Sequence, residues 1–207
     1  MLYLFDLFGV MTFAMSAAIR SRDKKLDGYG VFVLAAVTSV GGGTLRDLIL
    51  GRTPVFWVRD PTYVYVIIGS VLLTALLGRL RLLPRRALLV ADAFGLAIAT
   101  IIGTQRAMEI GADIAICLTM GVMTGTTGGI IRDLLTREVP LVLRREIYAV
   151  ASLTGALVFF GLSTWFQVAF DVAAVASVTT TFGLRMAAIR WNWQLPNPVP
   201  HITPPKR

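Results

Sequence analysis

The segment Gly41-Gly42-Gly43-Thr44-Leu45-Arg46-Asp47 returns later in the chain as Thr127-Gly128-Gly129-Ile130-Ile131-Arg132-Asp133. The copies lie 86 residues apart, and sliding the whole sequence by that distance gives a match without gaps. Asp6-Leu7-Phe8-Gly9 falls on Asp92-Ala93-Phe94-Gly95, and Arg20, Asp27 and Thr38 fall on Arg106, Asp113 and Thr124. Further on, Pro54 meets Pro140, Arg59 meets Arg145 and Gly69 meets Gly155. Chance likeness between greasy helices would pair Leu, Val and Ala. Here the shared residues are mostly Gly, Asp, Arg and Pro, which is the mark of an internal duplication.

The 207 residues are 56% hydrophobic and 15% charged, with a mean hydropathy of +0.72. Soluble domains carry about 25% charged residues, so the chain reads as a membrane protein. Apolar stretches at Leu2–Ile19, Tyr29–Leu50, Tyr63–Leu80, Ala87–Gln105, Ala112–Leu135, Ile147–Phe166 and Val168–Ile189 are each long enough to cross a bilayer as a helix. Each copy of the repeat holds three of them. Because three is odd, the second copy enters the membrane from the opposite face, the inverted arrangement of many transport proteins. The sequence thus predicts an all-α polytopic fold. A first repeat occupies residues 2–81, an inverted second repeat 87–166, an extra seventh helix 167–190 and a Pro-rich tail 191–207.

Composition also narrows the chemistry. The single cysteine, Cys117, forbids a disulfide, and the single histidine, His201, lies in the tail, so an H-E-x-x-H zinc site is impossible. With no nucleophile elbow and no phosphate-binding lysine loop, the reading is of a protein that is not an enzyme and needs no cofactor. The net charge of +8 is dispersed between apolar runs, which argues against nucleic acid as a partner.

The distribution of that charge fixes an expected orientation. The loops on the N-terminal side carry only Arg52, Arg59 and Arg106. The other side carries Arg20, Arg22, Lys24, Lys25, Arg79, Arg81, Arg85, Arg86, Arg137, Arg144, Arg145, Arg185, Arg190, Lys206 and Arg207. The positive-inside rule places the N-terminus outside and the C-terminus in the cytosol of a plasma (inner) membrane. Trp57, Tyr63 and Tyr65 are expected in the outer interfacial belt, and Trp191 and Trp193 in the inner one. Cys117 reads as ordinary packing, and Pro54 and Pro140 as the stops of the second helices.

The second helix of each repeat departs most from a plain lipid-facing span. Residues four apart share a face, giving Thr38, Gly42 and Arg46 beside Ser39, Gly43 and Asp47. The second copy gives Thr124, Gly128 and Arg132 beside Gly125, Gly129 and Asp133. Two explanations compete. Small residues let helices approach closely, with Arg46 meeting Asp133 and Arg132 meeting Asp47 across the pseudo-axis as struts. Alternatively, glycines in mid-span break both helices beside a polar pathway. A central Arg or Asp costs about 2.5–3.5 kcal/mol on insertion scales, so the four groups demand mutual pairing or a wet cavity. Asp6 and Asp92 are candidate acidic mouths of such a pathway, against the plainer reading of solvated helix ends.

With its two G-G-x-x-R-D elements, seven spans and inverted three-plus-three repeat, the chain resembles the prokaryotic trimeric intracellular cation channel family over residues 2–190. The resemblance implies a homotrimer in which each protomer encloses its own pathway for potassium and, less readily, sodium, among the first, second, fourth and fifth spans. It also implies a gating role for the basic residue of the motif. The pore and gate would then comprise Thr38, Gly41, Gly42, Gly43, Thr44, Arg46 and Asp47 with Thr124, Thr126, Thr127, Gly128, Gly129, Arg132 and Asp133. Threonine hydroxyls and carbonyls freed at kinks would replace part of the ion's water shell. A glycine-transporter label attached to the bacterial branch keeps a second reading open. That reading is a carrier for a small zwitterion, with an arginine on its carboxylate and an aspartate on its ammonium group.

Overall fold

The apolar stretches become seven helices long and apolar enough to span a membrane: α1 (Leu2–Ser21), α2 (Gly28–Ile49), α4 (Thr62–Arg79), α5 (Ala87–Met108), α6 (Ile114–Leu135), α8 (Ile147–Thr164) and α9 (Phe170–Trp191). Two single-turn helices, α3 (Phe56–Arg59) and α7 (Leu141–Arg144), follow the second helix of each repeat. The computed structural model describes residues 2–80, 82, 86–144 and 147–193. Most of the expected tail, together with Arg81, Arg85, Arg145, Lys206 and Arg207 from the charge count, falls outside the described residues.

Asp27 and Asp113, equivalent in the two copies, each start a second helix in the same way. The Asp27 carboxylate accepts the backbone N–H of Gly30 and that of Asp113 accepts from Ala115, satisfying donors that a helix start leaves open. The two second helices then cross at their glycines. A Cβ on Gly42 would collide with the Thr124 carbonyl, and a Cβ on Gly128 would collide with the Thr38 carbonyl. These contacts interchange under the repeat, so the pseudo-two-fold axis passes through the crossing. Around it α1 packs on α5 and α2, α6 on α5 and α8, while α9 covers α5 and α8.

Both helices run unbroken through their glycines, so the expected breaks are absent. The glycines serve close packing instead, and threonine hydroxyls turn back onto their own helix. Thr44 donates to the Val40 carbonyl, Thr124 to Met120 and Thr127 to Met123, with a longer bond from Thr126 to Met123 at 3.5 Å.

Nor do Pro54 and Pro140 end these helices. After Leu50, Gly51 takes a positive φ of 66°, its N–H reaches the Leu48 carbonyl, and the Arg52 N–H reaches Asp47. Arg137, at φ 56°, repeats this six-to-one turn with Glu138 on the Asp133 carbonyl. Past the prolines the repeat changes register. α3 and α4 begin at Phe56 and Thr62, while α7 and α8 begin at Leu141 and Ile147, so the offset becomes 85. Burial agrees: Tyr63, Ile67, Ser70 and Thr74 line the inside of α4 where Tyr148, Ser152, Gly155 and Phe159 line that of α8. Gly155 therefore answers Ser70 rather than Gly69.

Gly42→Ala or Gly128→Ala forces the α2–α6 crossing apart, an overpacking change expected to cost about 1–3 kcal/mol. Gly69 has nothing within 4 Å of an added Cβ, so Gly69→Ala leaves stability unchanged or slightly raised. Thermal unfolding of the three variants in one detergent checks this. Equal melting temperatures for all three would show that the crossing is not tight.

Candidate functional site

Each motif aspartate holds two things. Asp47 takes Nε and Nη2 of Arg46 on Oδ1, both at 2.8 Å, and its Oδ2 accepts the Phe56 backbone N–H that opens α3. Asp133 takes Nε of Arg132 on Oδ1 at 2.9 Å, and its Oδ2 accepts the Leu141 N–H that opens α7. The arginines thus pair with their own neighbours and not across the axis as the strut reading required. A crossed pairing is geometrically remote, because the crossing at Gly42 and Gly128 lies a turn earlier and the inverted helices diverge toward opposite faces.

Beyond that common clamp the two half-sites differ. On the basic half, Nη1 of Arg132 bonds Asp92 at 2.5 Å and the Ser16 hydroxyl at 3.1 Å. Tyr148 stands beside this group, with the guanidinium of Arg185 over its ring at 4.5 Å. Asp92, Arg132, Asp133 and Arg185 are all completely buried. Asp92 is consequently part of a sealed ion cluster and not an acidic mouth. Arg185, counted above as a cytosolic loop charge, is a third arginine inside the helical bundle.

On the N-terminal half, Asp6 accepts a bond from the Tyr63 hydroxyl at 2.8 Å, and Arg46 lies over the Phe56 ring at 5.4 Å. Here the packing leaves space. A crevice bounded by Asp6, Phe13, Thr38, Gly42, Arg46 and Thr124 runs between α1, α2, α5 and α6. It offers about 20 Å³ to water centres, enough for one or two water molecules. The Thr38 hydroxyl is buried on this crevice without a protein partner. Arg46 and Phe56 also border a wider vestibule of about 210 Å³ that includes Tyr3, Asp47, Arg52, Asp60 and Arg106. These two side chains therefore stand between vestibule and crevice.

The crevice gathers Thr38, Gly42, Gly43, Arg46, Thr124, Gly128 and Asp6 of the expected residues, with Asp47 on the vestibule. Gly41 instead faces Ile131, Thr44 accepts the indole N–H of Trp57, and Gly129 faces Tyr148. Tyr63 is buried against Asp6 and does not face outward; Trp57 is half-buried and donates to Thr44, while Tyr65, Trp191 and Trp193 are exposed. Nothing in the sequence marks Phe13, Ser16, Phe56 or Tyr148 as neighbours of these groups, and it places Tyr63 in the outer belt and Arg185 in a loop. The tyrosines sit second in their helices and offset by 85, so the gapless comparison had hidden their kinship.

Two ion-pair latches link the repeats at the faces. Lys24 bonds Glu138 at 2.9 Å with Arg20 near both Glu138 and Asp133 on the basic face, while Arg52 and Arg106 share Glu109 on the N-terminal face. Partial burial pushes the Glu109 carboxyl up, but its hydrogen bonds and charge contacts with the two arginines outweigh this and hold it below the usual range. Bonds from Tyr3 and Thr62 likewise hold Asp60 low.

The glycine transporter family profile matches residues 3–79 and 89–164. The chain is similar to YadS, an inner membrane protein of Escherichia coli, at 43% identity across 95% of either chain. A membrane protein of Vibrio cholerae is 44% identical, covering 95% of this chain and 82% of its own. Among solved structures, the TRIC trimeric intracellular cation channel orthologue from Rhodobacter sphaeroides is 42% identical, with a TM-score of 0.85 over 93% of this chain and 98% of that one. A TRIC cation channel at 34% identity gives a TM-score of 0.85 over 97% and 98% of the two chains.

Asp92→Ala strips a fully buried arginine of one carboxylate and is expected to cost about 3–5 kcal/mol. Asp6→Asn replaces a bond to a neutral hydroxyl and costs about 1 kcal/mol. Thermal unfolding orders the two, and a reversed order would contradict the sealed-cluster description. Stability from the Glu109 latch is fully present above the ordinary carboxylate value of about 4.3 and lost as pH falls through the depressed folded value. Glu109→Gln should flatten that acid limb in a pH series of melting temperatures.

Proposed function

The chain belongs to the prokaryotic trimeric intracellular cation (TRIC) channel family, and on that premise we propose that it is a multi-pass inner-membrane cation channel. It assembles as a homotrimer, passes potassium and less readily sodium through each protomer, and keeps its basic face in the cytosol. The orientation follows from the scarcity of Lys and Arg in the loops of the N-terminal face.

The observation that carries the reading is the contrast between the two half-sites. On the basic half, Arg132 is bonded to both Asp92 and Asp133, so each buried carboxylate there has an arginine partner. On the N-terminal half, Asp6 and Asp47 face one buried arginine, Arg46, which is committed to Asp47. Asp6 is left with a neutral phenol as its partner and stands on the water-sized crevice. A carboxylate in surplus inside a low-dielectric wall attracts a monovalent cation, and the Thr38 hydroxyl supplies a further oxygen. The conformation is closed, with Arg46 and Phe56 as the constriction below the vestibule.

The sequence alternative, a glycine carrier, needs an arginine edge open to a carboxylate and room for an amino acid. Arg46 has two of its three nitrogens on Asp47, and the crevice accommodates water alone. The cation pathway is therefore the better-supported reading.

Purified protein in a planar bilayer under a KCl gradient is expected to show unitary steps that reverse near the potassium potential and ignore added glycine. Asp6→Asn should lower unitary conductance and cation-over-chloride preference severalfold. Arg46→Gln should alter open probability and its voltage dependence, since one charge crossing the field is worth about 2.3 kcal/mol per 100 mV. Saturable glycine uptake without unitary steps would overturn the channel, and wild-type conductance in Asp6→Asn would move the pathway elsewhere.

A further inference from the structure

A second cavity lies on the opposite face from the vestibule, where α1, α2 and α4 splay apart. It holds about 330 Å³ and its walls are Ala18, Val31, Val71, Thr74 and Ala75, with Arg22 and Arg79 at the mouth. Both arginines are exposed, and neither has a carboxylate partner among the described residues. We propose that this groove binds an anionic phospholipid, with its phosphodiester between Arg22 and Arg79 and part of an acyl chain along the apolar wall.

The internal repeat supplies a control for this assignment, because the same fold occurs twice in one chain. The positions equivalent to Arg22, Thr74, Ala75 and Arg79 in the second copy are Met108, Phe159, Phe160 and Thr164. Phe160 and Met108 pack against Ala107 and Cys117 there, and Phe159 is buried against Ile101 and Ala173. The fold therefore does not impose an open groove at this position. One copy fills the space with the Phe160 ring and carries no arginine at the mouth. The other keeps small walls and gains two cations together.

A bland role for Arg79, neutralising the C-terminal dipole of its helix, does not explain the pairing, since α8 ends in its equivalent place without a basic residue. Guanidinium groups bind phosphate oxygens through paired, charge-assisted donors. Basic pockets between membrane helices on the cytosolic side are where anionic headgroups bind. The chain of such a lipid lies in the bilayer already, so seating it requires only that lipid-facing walls be apolar, as these are. The occupied groove would brace α1 against α2 and α4, the first two of which line the crevice.

Native mass spectrometry of the detergent-purified trimer tests this without reference to conduction, after incubation with phosphatidylglycerol or phosphatidylcholine of identical chains. Preferential retention of phosphatidylglycerol is expected. R22Q/R79Q should reduce it at least tenfold, since the loss of even one charge-assisted hydrogen bond is worth about that factor. Ala75→Phe, which copies the filled groove of the second repeat, should reduce retention of the lipid chain while the protein melts as wild type. Equal retention of the two lipids, or unchanged retention in both variants, overturns the proposal. So does dissociation of the trimer by Ala75→Phe, which would make the groove a contact between copies of the chain.

Discussion

The whole arrangement depends on how closely α2 and α6 approach. Inside a bilayer no hydrophobic force drives helix to helix, so association rests on contact between backbones that small residues allow to come near. Gly42 against the Thr124 carbonyl and Gly128 against the Thr38 carbonyl make one reciprocal contact at the pseudo-two-fold axis. Everything polar is positioned from there. Four residues beyond each glycine stands an arginine and five beyond it an aspartate, displaced toward opposite faces because the helices are inverted. A side chain at either glycine would separate the repeats and move both charge clusters at once.

Identical motifs then acquire different properties from what surrounds them. Asp47 and Asp133 do the same local work, each fixing its neighbouring arginine with one oxygen and starting the following short helix with the other. The difference comes from outside the motif. Arg132 reaches a second carboxylate, Asp92, and α9 contributes the buried Arg185, whose guanidinium lies over the Tyr148 ring beside them. Arg46 reaches no second carboxylate in the same way; it lies over Phe56 and leaves a crevice beside Asp6. The seventh helix, the one element without a repeat partner, covers α5 and α8 and so breaks the symmetry between the two halves.

Much of this was readable in the chain because duplication is written in Gly, Asp, Arg and Pro, residues that hydrophobic drift does not imitate. The seven spans, their inversion, and the convergence of Thr38, Thr124, Gly42, Gly128 and Arg46 all follow from that alignment. What the residues did not disclose were matters of geometry. Glycine in mid-helix is compatible with a kink or with close packing, and only the position of the partner carbonyl separates these. Adjacent Arg and Asp do not share a helix face, so the strut reading pairs them across the axis; the length of the arginine arm lets each pair within its own motif instead. Arg185 was taken for a loop charge because it stands four residues from a helix end. The tyrosines on Asp6 and beside Asp92 were obscured by a single-residue change of register after the prolines.

The same comparison decides which arginine is free to act. A field of 100 mV supplies about 2.3 kcal/mol for each charge that crosses it. Parting a fully buried pair costs about 3–5 kcal/mol, and Arg132 would have to leave both Asp92 and Asp133 from a completely buried position. Arg46 has one carboxylate to leave, and both the vestibule and the crevice adjoin its guanidinium. Water entering from either side offsets part of the separation, bringing the cost within reach of a membrane potential. On the proposed channel reading, then, the two halves would divide the labour that their sequences share: Arg132 stays fixed between the carboxylates of its own repeat and Ser16 of the other, and Arg46 is the arginine that would move.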